Sequence, residues 1–161
     1  MGAGKSSVLA EASDILASRH ITHAAIDLDA LGLAYFPSAN GNDDLMYCNL
    51  ESICQNYNSA GVNRLMLARA LESRAELERV RKAAAAARPV VCRLTASVEV
   101  MEQRVKKREL GILQPDFVAR VAKLNTILDR ARLEDFSVSS ENRSLTEIAR
   151  EVLVKAAWIP E

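Results

Sequence analysis

Apolar positions recur along the chain with two spacings, one helical and one extended. From Lys5 to about Arg19, Leu9, Ala12, Ile15 and Leu16 fall at three- and four-residue intervals, which predicts an amphipathic helix. His23-Ala24-Ala25-Ile26-Asp27-Leu28 is a short apolar run ending in acid and predicts a first strand. Pro37 to Asp44 is rich in Gly, Asn and Asp and reads as a loop. Met46, Leu50, Ile53 and Tyr57 place a second helix over Asp44 to about Ser59, with Gly61 as its stop. Arg64-Leu65-Met66-Leu67-Ala68 is the second strand.

Ser73-Arg74-Ala75-Glu76 has the form of a capping box, in which hydroxyl and carboxylate each satisfy a free backbone N–H. The helix it opens is expected to run through the alanine tract to Ala87, with Pro89 ending it. Val90-Val91-Cys92-Arg93-Leu94 is the third strand, and Ser97 caps a helix that carries Val98, Met101 and Val105 inward. Pro115 suits a first helical turn, where its missing N–H costs nothing. Phe117, Val121, Leu124, Leu128 and Ala131 then mark a core stripe. Phe136-Ser137-Val138-Ser139 is the last strand. A second capping box, Ser144 with Glu147, opens a final helix with Leu145, Ile148, Val152 and Leu153 as its buried face.

Strands alternating with helices predict parallel βαβ units with helices on both faces of the sheet. The strands lack polar alternation, as strands buried on both sides do. The expectation is a single α/β domain over residues 1–161, a three-layer α/β/α arrangement around a parallel sheet. The length of 161 residues suits one such unit.

Charge narrows the function. Lys plus Arg and Asp plus Glu both number 21, so the net charge is zero. That removes the basic excess non-specific nucleic-acid binding requires, and no nucleic-acid partner is expected. No apolar run approaches the ~20 residues of a membrane span, and no charged-then-apolar leader opens the chain. A cytoplasmic protein without a membrane partner is the resulting expectation; the oligomeric state is left open. Cys48, Cys54 and Cys92 are odd in number, match no zinc spacing and sit in apolar contexts, which predicts buried, reduced thiols. His20 and His23 form His-x-x-His, but no tetrahedral set is completed nearby, so a loop role is expected.

The most specific chemical signal is Gly2-Ala3-Gly4-Lys5-Ser6-Ser7, directly before the first helix. Glycines let backbone N–H groups point inward, and the helix adds a partial positive end; together they cradle phosphate oxygens. Lys5 supplies a cation for the β- and γ-phosphates, and Ser6 a hydroxyl for Mg²⁺. The run also fits the Met-Gly-x-x-x-Ser pattern of amino-terminal acylation, but phosphate binding already explains its residues.

These residues resemble the second half of the Walker A motif of P-loop NTPases, Gly-x-x-x-x-Gly-Lys-Ser. The first glycine of that motif would fall two positions before Met1. The apolar strand that precedes the motif in that fold is not in the sequence either. Two accounts follow: a start upstream of Met1, or closure of the gap by the remaining strands.

Asp27-Leu28-Asp29 closes the first strand, and residues two apart on a strand share a face. The Asp-x-Asp is similar to that of shikimate kinase, adenylylsulfate kinase and related small-molecule kinases. The resemblance implies Asp27 as a Mg²⁺ ligand and Asp29 as the group that positions or deprotonates an acceptor hydroxyl; a helix cap and a solvated loop acid are the competing reading. Asp29-Ala30-Leu31-Gly32 also has the Asp-x-x-Gly form of GTPases, but no Asn-Lys-x-Asp segment follows. Arg104 and Arg108, four apart in a basic helix, stand where such kinases carry a lid, which implies a role on the transferred phosphoryl group. Arg69 follows the second strand at its carboxyl end, where open α/β sheets bind ligands, and is a candidate for the acceptor. The segment from Asp135 to Trp158 is similar to the tail of bacterial P-loop kinase-like proteins.

The expected function is ATP binding with Mg²⁺ and phosphoryl transfer to a hydroxyl of a small-molecule acceptor. Gly2, Ala3, Gly4, Lys5, Ser6 and Ser7 would hold the nucleotide. The alternative is a nucleotide-binding or structural protein that transfers nothing.

Overall fold

A computed structural model describes residues 1–33 and 42–161, and the side chains of Asn42 and Asp43 are not described. The loop expected over Pro37 to Asp44 lies mostly outside the described residues. The order of elements is α1 (Lys5–Ser18), β1 (Ala24–Asp27), α2 (Leu28–Leu31), α3 (Asn42–Ser59), β2 (Leu65–Ala68), α4 (Arg74–Ala83), β3 (Cys92–Thr95), α5 (Val98–Arg108), α6 (Gln114–Ala131), β4 (Phe136–Ser139) and α7 (Leu145–Lys155). The chain is thus mixed α/β, dominated by helix, and every expected helix and strand has a counterpart.

The four strands form two separate two-stranded parallel sheets. β1 pairs with β2, Ala24 opposite Leu65 through Asp27 opposite Ala68. β3 pairs with β4, Cys92 opposite Phe136 through Thr95 opposite Ser139. Among the described residues β2 and β3 are not paired with each other.

Three apolar clusters hold these elements. Val8, Ala12 and Leu16 of α1 pack with Ile148, Ala149 and Leu153 of α7 and Val138 of β4. Met66 of β2 and Cys92 and Leu94 of β3 lie against the same cluster, so this one floor serves both sheets. Neighbours of Met66 turn the other way: Leu65 and Leu67 pack with Ile26 of β1, Met46, Leu50 and Cys54 of α3, and Val80 of α4. That alternation is the two-residue period of a strand covered on both faces. The third cluster joins Ala3 to Met101 and Val105 of α5 and Val121 of α6. Burying a side chain such as Leu16 or Leu50, both fully enclosed, is worth about 1.5–3 kcal/mol each.

Four local expectations change. The helix over the alanine tract ends at Ala83, not Ala87. Ala85 takes a left-handed φ of 49°, and Ala86 N–H donates to the Arg81 carbonyl at 3.0 Å, closing the helix end. Pro89 disfavours helical backbone at Arg88, and the chain must turn to reach β3; this outweighs alanine's propensity. The first capping box is half made: Ser73 accepts from Glu76 N–H, but the Glu76 carboxylate takes Glu72 N–H and Arg69 Nε. The second, Ser144 with Glu147, is complete. Cys48 is exposed, Cys54 is buried and Cys92 half-buried, so only part of the thiol expectation holds. Leu145 is also exposed, and α7 buries Ala149 in its place.

Candidate phosphate site

The Gly2-to-Ser7 segment forms a turn whose shape depends on its glycines. Gly2 has φ +73° and Gly4 φ +90°, backbone that side chains disfavour. At Gly2 a Cβ would also stand 2.4 Å from the Met101 carbonyl oxygen, so the turn lies hard against α5. Ala3 between them is buried beside Met101 and Val105. Gly4 is the N-cap of α1 and gives no side-chain cap, and the first turn of α1 carries no acid. The helix thus presents first-turn N–H groups and its positive end without a carboxylate of its own.

The hydroxyl of Ser6 donates to Asp27 Oδ2 at 2.5 Å, tying the start of α1 to the carboxyl end of β1. Asp27 is also the N-cap of α2, where its Oδ1 accepts from Asp29 N–H at 3.1 Å. This one-turn helix makes Asp27 the helix cap of the competing reading, and it alters the relation of the two acids. Asp29 is in the first turn of α2, not on β1, so the shared strand face expected for the pair is not formed. Asp27 turns to Ser6, whereas Asp29 is 71% exposed in its side chain and lies 3.6 Å from Arg69. Both acids still act on Lys5. Burial lowers the Lys5 pKa from its ordinary value; Asp29 and Asp27 oppose this, and Arg108 adds to it. The Met1 amine is pushed down to about 6, mostly by burial and then by Lys5 and Arg108.

Arg69 sits at the carboxyl end of β2 as expected, with Nε on Glu76 at 3.0 Å and a terminal nitrogen on Met46 Sδ at 3.0 Å. Arg104 and Arg108 separate. Arg108 is exposed and pairs with Glu109 at 2.7 Å. Arg104 turns inward, donating to the Gly2 carbonyl at 3.3 Å, Ser140 Oγ at 2.9 Å and the Ser140 carbonyl at 2.6 Å. Its guanidinium braces the glycine turn against the carboxyl end of β4. Sequence spacing gave no hint of Ser140, a 3% exposed serine whose own hydroxyl donates to the Thr95 carbonyl at 3.2 Å.

No group of three or more His, Cys, Asp or Glu is arranged for a metal among the described residues. His23 is held by Ser13 at 2.8 Å and the Ile21 carbonyl at 2.7 Å, a structural arrangement. The carbonyl requires a proton on Nδ1. No helix of the described residues is long and apolar enough to cross a membrane. No protein-family model and no curated protein matches the chain, so function rests on the residues and their geometry.

Proposed function

We propose that the chain binds ATP with Mg²⁺ through the Gly2-to-Ser7 turn and transfers the terminal phosphoryl group to a hydroxyl of a small-molecule acceptor. The observation that carries this reading is the Ser6–Asp27 contact beside Lys5, at the uncapped start of α1. A fold of three layers accompanies it, with α1 and α7 on one side of the strands and α3 to α6 on the other.

The donor set suits the metal. A hydroxyl and a carboxylate meet at the end of β1, both hard oxygen donors. Mg²⁺ takes one or two protein ligands and completes its shell with water and phosphate. Ser6 and Asp27 would hold it; when bound, it neutralises charge on the phosphates. Gly2, Ala3, Gly4 and Ser7 contribute backbone N–H groups or the turn that aims them, and Lys5 contributes a cation that burial has partly stripped of water. Asp29 would accept the proton of the acceptor hydroxyl as its oxygen attacks the terminal phosphorus and ADP leaves. Arg69, 3.6 Å from Asp29, would orient that acid and the acceptor. Arg108 is the lid cation of this reading; Arg104 would serve it by fixing the turn, its guanidinium resting on carbonyl oxygens. Positioning and charge neutralisation would supply most of the catalysis.

The Arg104 brace also favours a second reading, in which the turn binds nucleotide and nothing is transferred. Mg·ATP should raise the melting temperature of the chain, and Lys5→Ala should remove the rise without unfolding it. No rise in the unaltered chain would refute nucleotide binding. Labelled ATP with a panel of hydroxylated metabolites then separates the readings, because binding without a labelled product leaves only the second.

A further inference from the structure

Exposed apolar side chains gather in the turn between α5 and α6. Leu110 is 86% exposed, Ile112 96% and Leu113 52%. Three such residues within four positions differ from the scattered single side chains that any surface carries. The two helices pack on each other through Met101 and Val105 of α5 and Val121 of α6. The turn adds none of its own side chains to that cluster.

The backbone of this turn is finished for dry surroundings. The Gln114 side-chain amide donates to the Lys106 carbonyl at 2.9 Å and to the Glu109 carbonyl, taking up acceptors that the end of α5 leaves open. Glu109 N–H donates to the Val105 carbonyl at 2.9 Å, Gln114 N–H to the Gly111 carbonyl at 3.0 Å, and Phe117 N–H to the Leu113 carbonyl at 3.1 Å. A turn facing water can leave such groups to the solvent, whereas in hydrocarbon each orphan is costly. Cations stand beside the apolar tip. Lys106, Lys107 and Arg108 close α5 directly before it and are exposed. Glu109, the nearest acid, is engaged by Arg108 at 2.7 Å. Residues 106–123 carry five cations and two acids, in a chain whose net charge is zero.

Aliphatic side chains with lysines alongside suit the surface of a bilayer that holds anionic lipid. Headgroups attract the ammonium groups, acyl chains take up the leucines and isoleucine, and lysine stems lie along the boundary. A protein partner is held through aromatic anchors and directed hydrogen bonds. The tip has no aromatic residue, and its carbonyls are already paired. We propose that the α5–α6 turn is an interfacial anchor that inserts Leu110, Ile112 and Leu113 into a membrane surface containing anionic lipid, with Lys106 and Lys107 on the headgroups. The expectation of no membrane partner came from the lack of a spanning run, and an interfacial contact needs no such run. This anchor stands independently of the nucleotide reading.

The test is sedimentation of the intact chain with phosphatidylcholine vesicles, made with and without about one-third phosphatidylserine. Binding should saturate on the anionic vesicles and be roughly tenfold weaker or more on phosphatidylcholine alone. Leu110→Gln with Ile112→Gln alters exposed side chains only, so the melting temperature should stay put while vesicle affinity falls by roughly tenfold or more. Lys106→Gln with Lys107→Gln should lower affinity by roughly 10- to 30-fold at low salt and by little at high salt, where headgroup attraction is screened. No binding to either vesicle, equal binding to both, or unchanged binding by the Leu110 and Ile112 variant would each overturn the anchor. Saturable binding of an acidic, leucine-rich helical peptide in place of the vesicles would assign the tip to a protein and overturn it too. A melting shift with Mg·ATP but no vesicle binding overturns the anchor and leaves the nucleotide reading untouched; vesicle binding without an ATP shift does the reverse.

Discussion

The carboxyl ends of the two sheets meet at the same glycine turn but are finished differently. At the β3–β4 end, Ser97 N–H donates to the Glu141 carboxylate, Ser140 donates to Thr95, and Arg104 spans Ser140 and Gly2. These groups satisfy one another, and Ser140 is shut away from water. At the β1–β2 end, Asp29 is exposed, Lys5 and the Met1 amine are held where burial disfavours their charge, and Arg108 bears on both. A closed network positions, whereas concentrated charge near water is available for a ligand. The turn is thus anchored on one side and chemically open on the other.

Arg104→Ala should have the largest effect. It leaves the Gly2 carbonyl and the Ser140 hydroxyl and carbonyl without their guanidinium, and each lost partner of a buried or half-buried group costs about 1 kcal/mol, so unfolding stability in urea should fall by about 2–3 kcal/mol. Arg104→Lys keeps the charge but cannot span three acceptors and should recover less than half of the loss. An Arg104→Ala chain as stable as the parent would dissolve the contrast between the two ends. Gly2→Ala comes next. Left-handed backbone costs a side chain roughly 1–2 kcal/mol, and a Cβ 2.4 Å from the Met101 carbonyl oxygen forces the turn away from α5. Its stability loss should be about 2 kcal/mol and, under the proposed function, its ATP-dependent melting shift should vanish. Gly4→Ala meets no neighbouring atom and should lose only the backbone part.

The sequence carried the elements well and the site only partly, for physical reasons visible at particular residues. Phe136–Ser139 and the Ser144 helix start were legible because each is written in local terms, an apolar run and a cap. The same reasoning overran at Ala87, where Pro89 and the need to reach β3 outweighed propensity. Ser6 and Asp27 were legible as candidates by residue type and place, but their 2.5 Å contact depends on α1 folding back on β1. Asp29 could not be placed by strand alternation, because Asp27 caps a new helix and ends the strand two residues earlier. The Arg104 brace was invisible for a different reason: its partners lie 102 and 36 residues away and carry no charge.

Asp27→Ala should cost about 1–2 kcal/mol in urea unfolding, since it removes both the α2 cap and the acceptor of the Ser6 hydroxyl. Asp27→Asn, which keeps a capping oxygen, should recover most of that stability. Cysteine chemistry tests the strands behind the two ends. Burial pushes the Cys92 thiol up to about 11, so at pH 8 it should resist iodoacetamide while exposed Cys48 reacts readily. The sign for stability follows: above pH 9 the unfolded chain gives up the Cys92 proton first, and stability falls as pH rises towards 11. Rapid labelling of Cys92 in the folded chain would mean that the β3–β4 side is as open as its partner.

The smallest expected stability effect is the most discriminating. Asp29 is largely exposed, and its ion pair with Arg69 spans 3.6 Å. Such a pair contributes little, so Asp29→Asn should change unfolding stability by no more than about 0.5 kcal/mol. A structural role at the β1–β2 end would predict nothing further. The proposed function predicts a separation: the ATP-dependent melting shift persists, because Asp29 does not touch the phosphates, while transfer to an acceptor falls by about 10²-fold or more with the loss of a general base. Stability falling with transfer would make Asp29 a structural acid like Asp27, and the open end of the molecule would then be a binding site without catalysis.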